Sequence, residues 1–137
     1  MKSSSSTEDY LSSIMRITST GAKATVSAIA AYLKVKKPSV SQMVKKLARK
    51  KLLIHDSYGG ISLTKQGEKT AKRIVFKHRV IEYFLAKKLN RSPKHVHEEA
   101  HRLEHAFDDQ TVLELYNFLQ RPKRGIHSEA IEPYGVV

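Results

Sequence analysis

Apolar positions recur at helical spacing along most of the chain. Tyr10, Leu11, Ile14, Met15 and Ile17 predict a first helix, capped at Ser6 or Thr7 and stopping near Gly21. The serine-rich stretch before it has nothing apolar to pack, so residues 1–6 are expected to be a disordered tail. Val26, Ile29, Ala30 and Leu33 mark a second, short helix. Val40, Met43, Val44 and Leu47 mark a third, opened by Pro38 where a missing N–H costs nothing. The period then changes. Leu52 to Ile54 reads as a strand, Tyr58-Gly59-Gly60 as a tight turn and Ile61 to Leu63 as the returning strand.

From Thr64 the helical period resumes, with Ala71, Ile74, Val75, Ile81, Phe84 and Leu85 as the stripe of a long helix ending near Asn90. Ser92-Pro93 starts another that runs through His105. Asp108 or Asp109 caps a last one carrying Val112, Leu113, Tyr116 and Leu119. Pro122, Gly125, Pro133 and Gly135 predict a loose tail over 120–137. Two short helices, a tight turn and a hairpin describe a winged helix-turn-helix. The expected class is therefore mostly α: a winged helix-turn-helix over 7–72, then a helical half over 73–137.

Charge bears on the partner. The chain has 25 Lys and Arg against 13 Asp and Glu, a formal charge of +12, which favours an anionic partner. Lys34, Lys36, Lys37, Lys45, Lys46, Arg49, Lys50 and Lys51 follow one another with no acidic residue between them, a pattern suited to neutralising phosphates. At the start of the third helix Lys36, Ser39 and Gln42 offer donors and acceptors to base edges, and Ser41 a phosphate contact. With Lys37, Pro38, Lys45 and Lys46 they form the candidate surface for double-stranded DNA. No apolar run approaches the ~20 residues that span a bilayer, so the expectation is a cytoplasmic protein without a membrane partner.

The densest chemistry lies in His97-Glu98-Glu99-Ala100-His101-Arg102-Leu103-Glu104-His105. At about 100° per residue, His97, His101, Glu104 and His105 fall within an arc of about 100° on one helix face. His78 and Glu82, at i and i+4, form a second converging pair. There is no cysteine, so a metal must be held by nitrogen and oxygen. His55, His95 and His127 are read as structural or exposed groups. His97 to His101 also matches H-E-x-x-H, the helix of zinc hydrolases. The longer form of that motif wants glycine and a third histidine where Glu104 and Phe107 stand, and an enzyme is not expected. A regulator answering to an organic ligand is the other alternative.

These motifs, together with Glu8-Asp9-Tyr10-Leu11, Lys36-Lys37-Pro38-Ser39-Val40-Ser41-Gln42 and Lys77-His78-Arg79, resemble the DtxR/MntR family of metal-dependent repressors over roughly residues 7 to 119. The resemblance implies a primary metal site of Asp9, His101, Glu104 and His105 and a second site of His78, Glu82 and His97. It also implies a homodimer on a near-palindromic operator, repression of manganese or iron homeostasis genes, and a helical half that binds metal and dimerises. Asp9 stands where the iron-sensing branch has methionine, and His101 where that branch has cysteine. Ser12 and His101 stand where the manganese-sensing branch has glutamates. The chain reads as a short form without the SH3-like domain. A divalent transition metal is expected, Mn(2+) ahead of Fe(2+), with Zn(2+) competing in vitro under the Irving–Williams order.

Overall fold

A computed structural model describes residues 4–58 and 60–133. The chain divides into two compact units, one ending at Lys72 and the other beginning at Arg73.

In the first unit, α1 (Ser5–Ser19), α2 (Val26–Leu33) and α3 (Lys37–Arg49) precede a hairpin of β1 (Leu53–Asp56) and β2 (Gly60–Leu63). Leu11, Ile14, Ile29, Val40, Val44 and Leu47 from the three helices meet Leu53 and Ile61 from the hairpin in one core, each such burial being worth about 1.5–3 kcal/mol. The start of α1 corrects the expected cap: Ser4 is the N-cap, its Oγ accepting from Thr7 N–H at 3.2 Å, so Ser5 and Ser6 are helical rather than part of a loose tail. Any of these serines has a hydroxyl able to cap, and the composition does not choose among them. Residues 1–3 lie outside the described chain.

The turn between α2 and α3 is tight because Lys34 takes a left-handed conformation, φ 58°, and Val35 N–H returns to Ala30 O at 3.0 Å. This is a helix-ending motif in which the αL residue lets the chain reverse. Pro38 lies in the first turn of α3, as its ring requires. The hairpin pairs Leu53 with Leu63 and Asp56 with Gly60. β1 thus begins and ends later than the expected Leu52–Ile54: Leu52 N–H is spent on Leu47 O, closing α3 instead of pairing with the partner strand. Of the expected turn, Gly59 lies outside the described residues. Ile61 N–H donates to Ala24 O at 2.8 Å, and Gly60, φ +91°, sits so close that a Cβ would lie 2.9 Å from that same oxygen.

α4 (Lys65–Lys87) follows. Thr64 caps it through Oγ1, which accepts from Gly67 N–H at 3.1 Å and donates to Lys51 O at 2.8 Å. Any side chain at Gly67 would run into Leu52 O.

The second unit holds the later part of α4 with α5 (Pro93–Ala106) and α6 (Asp109–Phe118). Phe76 and Val80 pack with Val112, Tyr116 and Leu119, and Phe76 meets Tyr116 edge-on at 5.1 Å. Ile81 and Leu85 pack with Val96 and Ala100. Lys77 is buried and reaches both Asp109 Oδ1 and Phe107 O at 2.7 Å, satisfying its charge where α6 begins. The expected looseness of 120–137 is corrected over 123–131. Ile131 N–H donates to Lys123 O, Gly125 N–H to Glu129 O, and Arg79 Nη1 to Ala130 O at 2.6 Å. Ile131 is buried with Phe76 and Val80, and Ile126 packs against the Ile81–Val96 cluster. Two single apolar residues without helical or strand spacing anchor this segment, which no periodicity could announce. Among the described residues no helix is long and apolar enough to cross a membrane.

Candidate functional site

In the first unit the buried face of α3 is Val40, Val44 and Leu47, which turns Lys36, Lys37, Pro38, Ser39, Gln42, Lys45 and Lys46 outward. Ser41 is half-buried. All eight candidate DNA-facing residues therefore lie on or beside one helix, and all but Ser41 are exposed. Arg49, Lys50 and Lys23 add cationic groups, and Lys23 Nζ donates to the carbonyl of Tyr58, whose side chain is 94 % exposed at the hairpin tip. Lys23 and Tyr58 were not singled out from sequence. They become visible only once the hairpin is folded back against residue 24.

If Lys45 and Lys46 each neutralise a phosphate, replacing both with alanine lowers affinity for every duplex alike. It also flattens the plot of log K against log salt by about 0.9 per lost contact. Fluorescence anisotropy at several salt concentrations measures this; an unchanged slope would remove these lysines from the interface.

In the second unit, His78 and Glu82 continue the α4 face whose Ile81 and Leu85 pack on α5. His97 and Glu104 are presented from α5. His78 Nε2 lies 3.1 Å from His97 Nδ1 and 3.2 Å from Glu82 Oε2, and His97 Nδ1 lies 3.5 Å from Glu82 Oε2. Donors of a tetrahedral ion with bonds of about 2.0–2.2 Å stand about 3.3–3.6 Å apart. Around an octahedral ion with bonds of about 2.1 Å, neighbouring donors stand about 3.0 Å apart. The triangle has the size of one face of either polyhedron.

The charges point the same way. His78 is 4 % exposed, Glu82 2 % and Glu104 1 %. His78 Nδ1 lies 2.7 Å from Glu104 Oε1, and since a carboxylate accepts, Nδ1 donates there; the proton that Nε2 shares with Glu82 Oε2 is the one a metal at Nε2 would displace. Burial alone would raise the Glu82 carboxyl. The hydrogen bond from His78 and the charges of His78, His127 and His97 more than offset it, holding the group below the ordinary carboxylate value. Such a carboxylate is ionised and ready to ligate.

His101 and His105 stand one turn apart on α5, ring centroids 5.4 Å apart. The two histidines of the H-E-x-x-H match thus serve different neighbours: His97 meets His78 and Glu82, and His101 meets His105. Asp9 is a half-buried residue of α1, in the first unit. Glu104 has a connection that sequence reasoning did not find. Its carboxylate supports His78 from a neighbouring helix, and only the packing of α4 on α5 makes that pair.

Residues 2–61 match the family described as iron dependent repressor, N-terminal DNA binding domain, and residues 64–133 match its metal binding and dimerisation domain. The chain belongs to the iron-dependent repressor family. The chain is 36 % identical over 121 residues to an uncharacterised HTH-type transcriptional regulator of Methanocaldococcus jannaschii, covering 88 % of this chain and 97 % of that one. It is 36 % identical over 100 residues to the HTH-type transcriptional regulator MntR of Shouchella clausii, covering 73 % and 69 %. Among solved structures it is similar to the manganese regulator SloR, with 40 % identity and a TM-score of 0.85 over 94 % of this chain and 60 % of SloR. The chain thus spans less than two thirds of the SloR chain. The family is one of metal-dependent transcriptional repressors, and the winged helix-turn-helix followed by a helical metal-binding and dimerisation domain is its architecture.

Proposed function

We propose that the protein is a cytoplasmic, metal-activated transcriptional repressor and not an enzyme. It binds a near-palindromic operator as a homodimer and controls manganese or iron homeostasis genes. The observation that carries this reading is the pairing, in one chain, of an exposed basic helix in a helix-turn-helix with a triangle of donors of metal-site dimensions, His78 and Glu82 buried and His97 exposed. Manganese is the favoured ion, then iron(II), with zinc a competitor. The donors are nitrogen and oxygen only; the similar SloR is a manganese regulator, and the similar ScaR, a manganese-activated repressor, has been solved with bound Zn2+.

Two groups of ligands are proposed. His78, Glu82 and His97 form one, with Glu104 orienting His78. Asp9, His101, Glu104 and His105 form the primary site, the support for Asp9 being the ligand pattern of the family. The metal would supply positive charge at these carboxylates and imidazoles. The chain's own part is to hold His78 in one tautomer, to keep Glu82 ionised and to present Lys36 to Lys46 to the groove. A metal held by residues of both halves stabilises only the arrangement in which both halves contribute. If that arrangement also fits the operator, metal shifts the population toward DNA binding.

Linkage then demands the reverse effect. Operator duplex should tighten manganese binding by the same factor by which manganese tightens operator binding, about 5- to 150-fold. Titrating free manganese by electron paramagnetic resonance, with and without the duplex, reads this factor. Equal manganese affinities in the two titrations would contradict metal activation.

A further inference from the structure

The turn that joins α4 to α5 concentrates positive charge. Between Glu82 and Glu98 the chain carries Lys87, Lys88, Arg91 and Lys94 and no acidic residue. Two of these four, Lys87 and Arg91, line a cavity of about 510 Å3 together with Asn90 and His127, and Ala86 and Ile126 make its apolar part. Among the described residues no acidic side chain lines it. The backbone around it is held in place. Asn90 takes a left-handed conformation, φ 55°, which asparagine tolerates better than most residues, and Arg91 N–H donates to Leu85 O at 3.0 Å. In segment 123–131, Ile126 packs against Ile81, Leu85, Val96 and Ala100, and His127 N–H donates to Glu129 Oε2 at 2.9 Å. Pro93 also lines the cavity and has no N–H, so recognition there falls to side chains. Arg91 Nε stands 3.9 Å from Glu99 Oε1, a long and partly exposed ion pair of the kind that contributes little.

We infer that this cavity binds a small dianion of the phosphate class, either inorganic phosphate or the phosphate monoester of a small molecule. Lys87 and Arg91 bring two positive charges, which a dianion neutralises. A guanidinium grips two oxygens side by side and an ammonium acts as a point charge, while the Asn90 amide and the His127 imidazole each have an N–H to donate. These donors come from α4, from the turn and from segment 123–131. Donors on three separate stretches of chain suit the tetrahedral oxygens of phosphate better than the flat oxygens of a carboxylate. The volume falls in the range of small-molecule sites, about 300–1,000 Å3, so an organic group has room beside the phosphate against Ala86 and Ile126. A duplex backbone is the poorer fit, because it calls for a row of cations along an open surface, which α3 already supplies. Side chains furnish all the charge, so the site works without a metal.

The test uses the full chain labelled with 15N, stripped of metal, freed of chelator and kept at fixed ionic strength. It is titrated with inorganic phosphate and, separately, with glycerol 3-phosphate, following backbone amides by nuclear magnetic resonance. The amides of Asn90, Arg91 and His127 are expected to shift together along one saturating curve. Tighter binding of the ester assigns the site to a phosphorylated small molecule, and equal or weaker binding assigns it to the free ion; both support a phosphate site. Lys87→Gln combined with Arg91→Gln should weaken binding about 10-fold or more, the effect of losing charge-assisted hydrogen bonds. Lys88→Gln combined with Lys94→Gln removes the same charge outside the cavity and should change binding less than about 2-fold, since exposed charges are screened. All four side chains are exposed, so both variants keep the core, and an unchanged thermal midpoint verifies that. Equal losses in the two variants would reduce the effect to net charge. Shifts that never saturate, or that are confined to residues 36–46, would place the anion elsewhere. Each of these overturns the proposal, as does a DNA duplex that shifts the three amides where neither small anion does.

Discussion

His78→Ala should remove metal from the α4–α5 group, lowering its affinity at least 100-fold, and should also destabilise the metal-free protein by about 3–5 kcal/mol. Both effects come from one ring. Nε2 is the corner of the triangle nearest the other two donors, at 3.1 and 3.2 Å, so its loss leaves a single imidazole and a single carboxylate. Nδ1 meanwhile satisfies Glu104, which is 1 % exposed. Alanine leaves Glu82 and Glu104 buried and without the imidazole that both face. Like charges in a poorly solvated place then repel unless one takes a proton. Competition against a chelating dye measures the affinity, and urea unfolding in chelator measures the stability. Wild-type values in both would show that the ring organises nothing.

Asp9→Ala should reduce the stimulation of operator binding by manganese about 5- to 150-fold, the range of coupling typical between linked sites. It should do so with little loss of fold. Asp9 is half-buried on α1, beside but not within the apolar face of Tyr10, Leu11 and Ile14, so truncation opens no core cavity. What it removes is the one proposed ligand that comes from the DNA-binding unit. Metal then remains bound by His101, Glu104 and His105 but no longer favours any arrangement of the two halves, and a ligand with equal affinity for two states shifts neither. Anisotropy titrations with and without manganese separate these cases. A variant that responds to manganese as wild type does would exclude Asp9 from the switch.

The helices and the hairpin were legible because each buries a stripe against a single core. Val40, Val44 and Leu47 announce α3, and Leu53 and Ile61 face the same core from the hairpin. The metal chemistry was half legible. The spacing of His97, His101, Glu104 and His105 places four ligand types on one face, but it does not tell which of them meets His78. That depends on the rotation and offset of α4 against α5, which Ile81, Leu85, Val96 and Ala100 decide together. So Glu104, read as a primary ligand, also proves to support His78.

Other features escaped for the same reason. The need for glycine at position 67 arises from the carbonyl of Leu52, on the chain leading into the hairpin. The order of 123–131 arises from Arg79 and from two isolated isoleucines. Periodicity reports one element at a time, and these are properties of pairs.

Metal occupancy is expected to govern DNA binding. Protein stripped with chelator, then titrated with its operator before and after manganese is restored, tests it in one experiment. Affinity should fall to the non-specific level on stripping and return on reloading, with iron(II) able to substitute. Equal operator affinity in chelator and in manganese would contradict the account and favour regulation by another class of ligand.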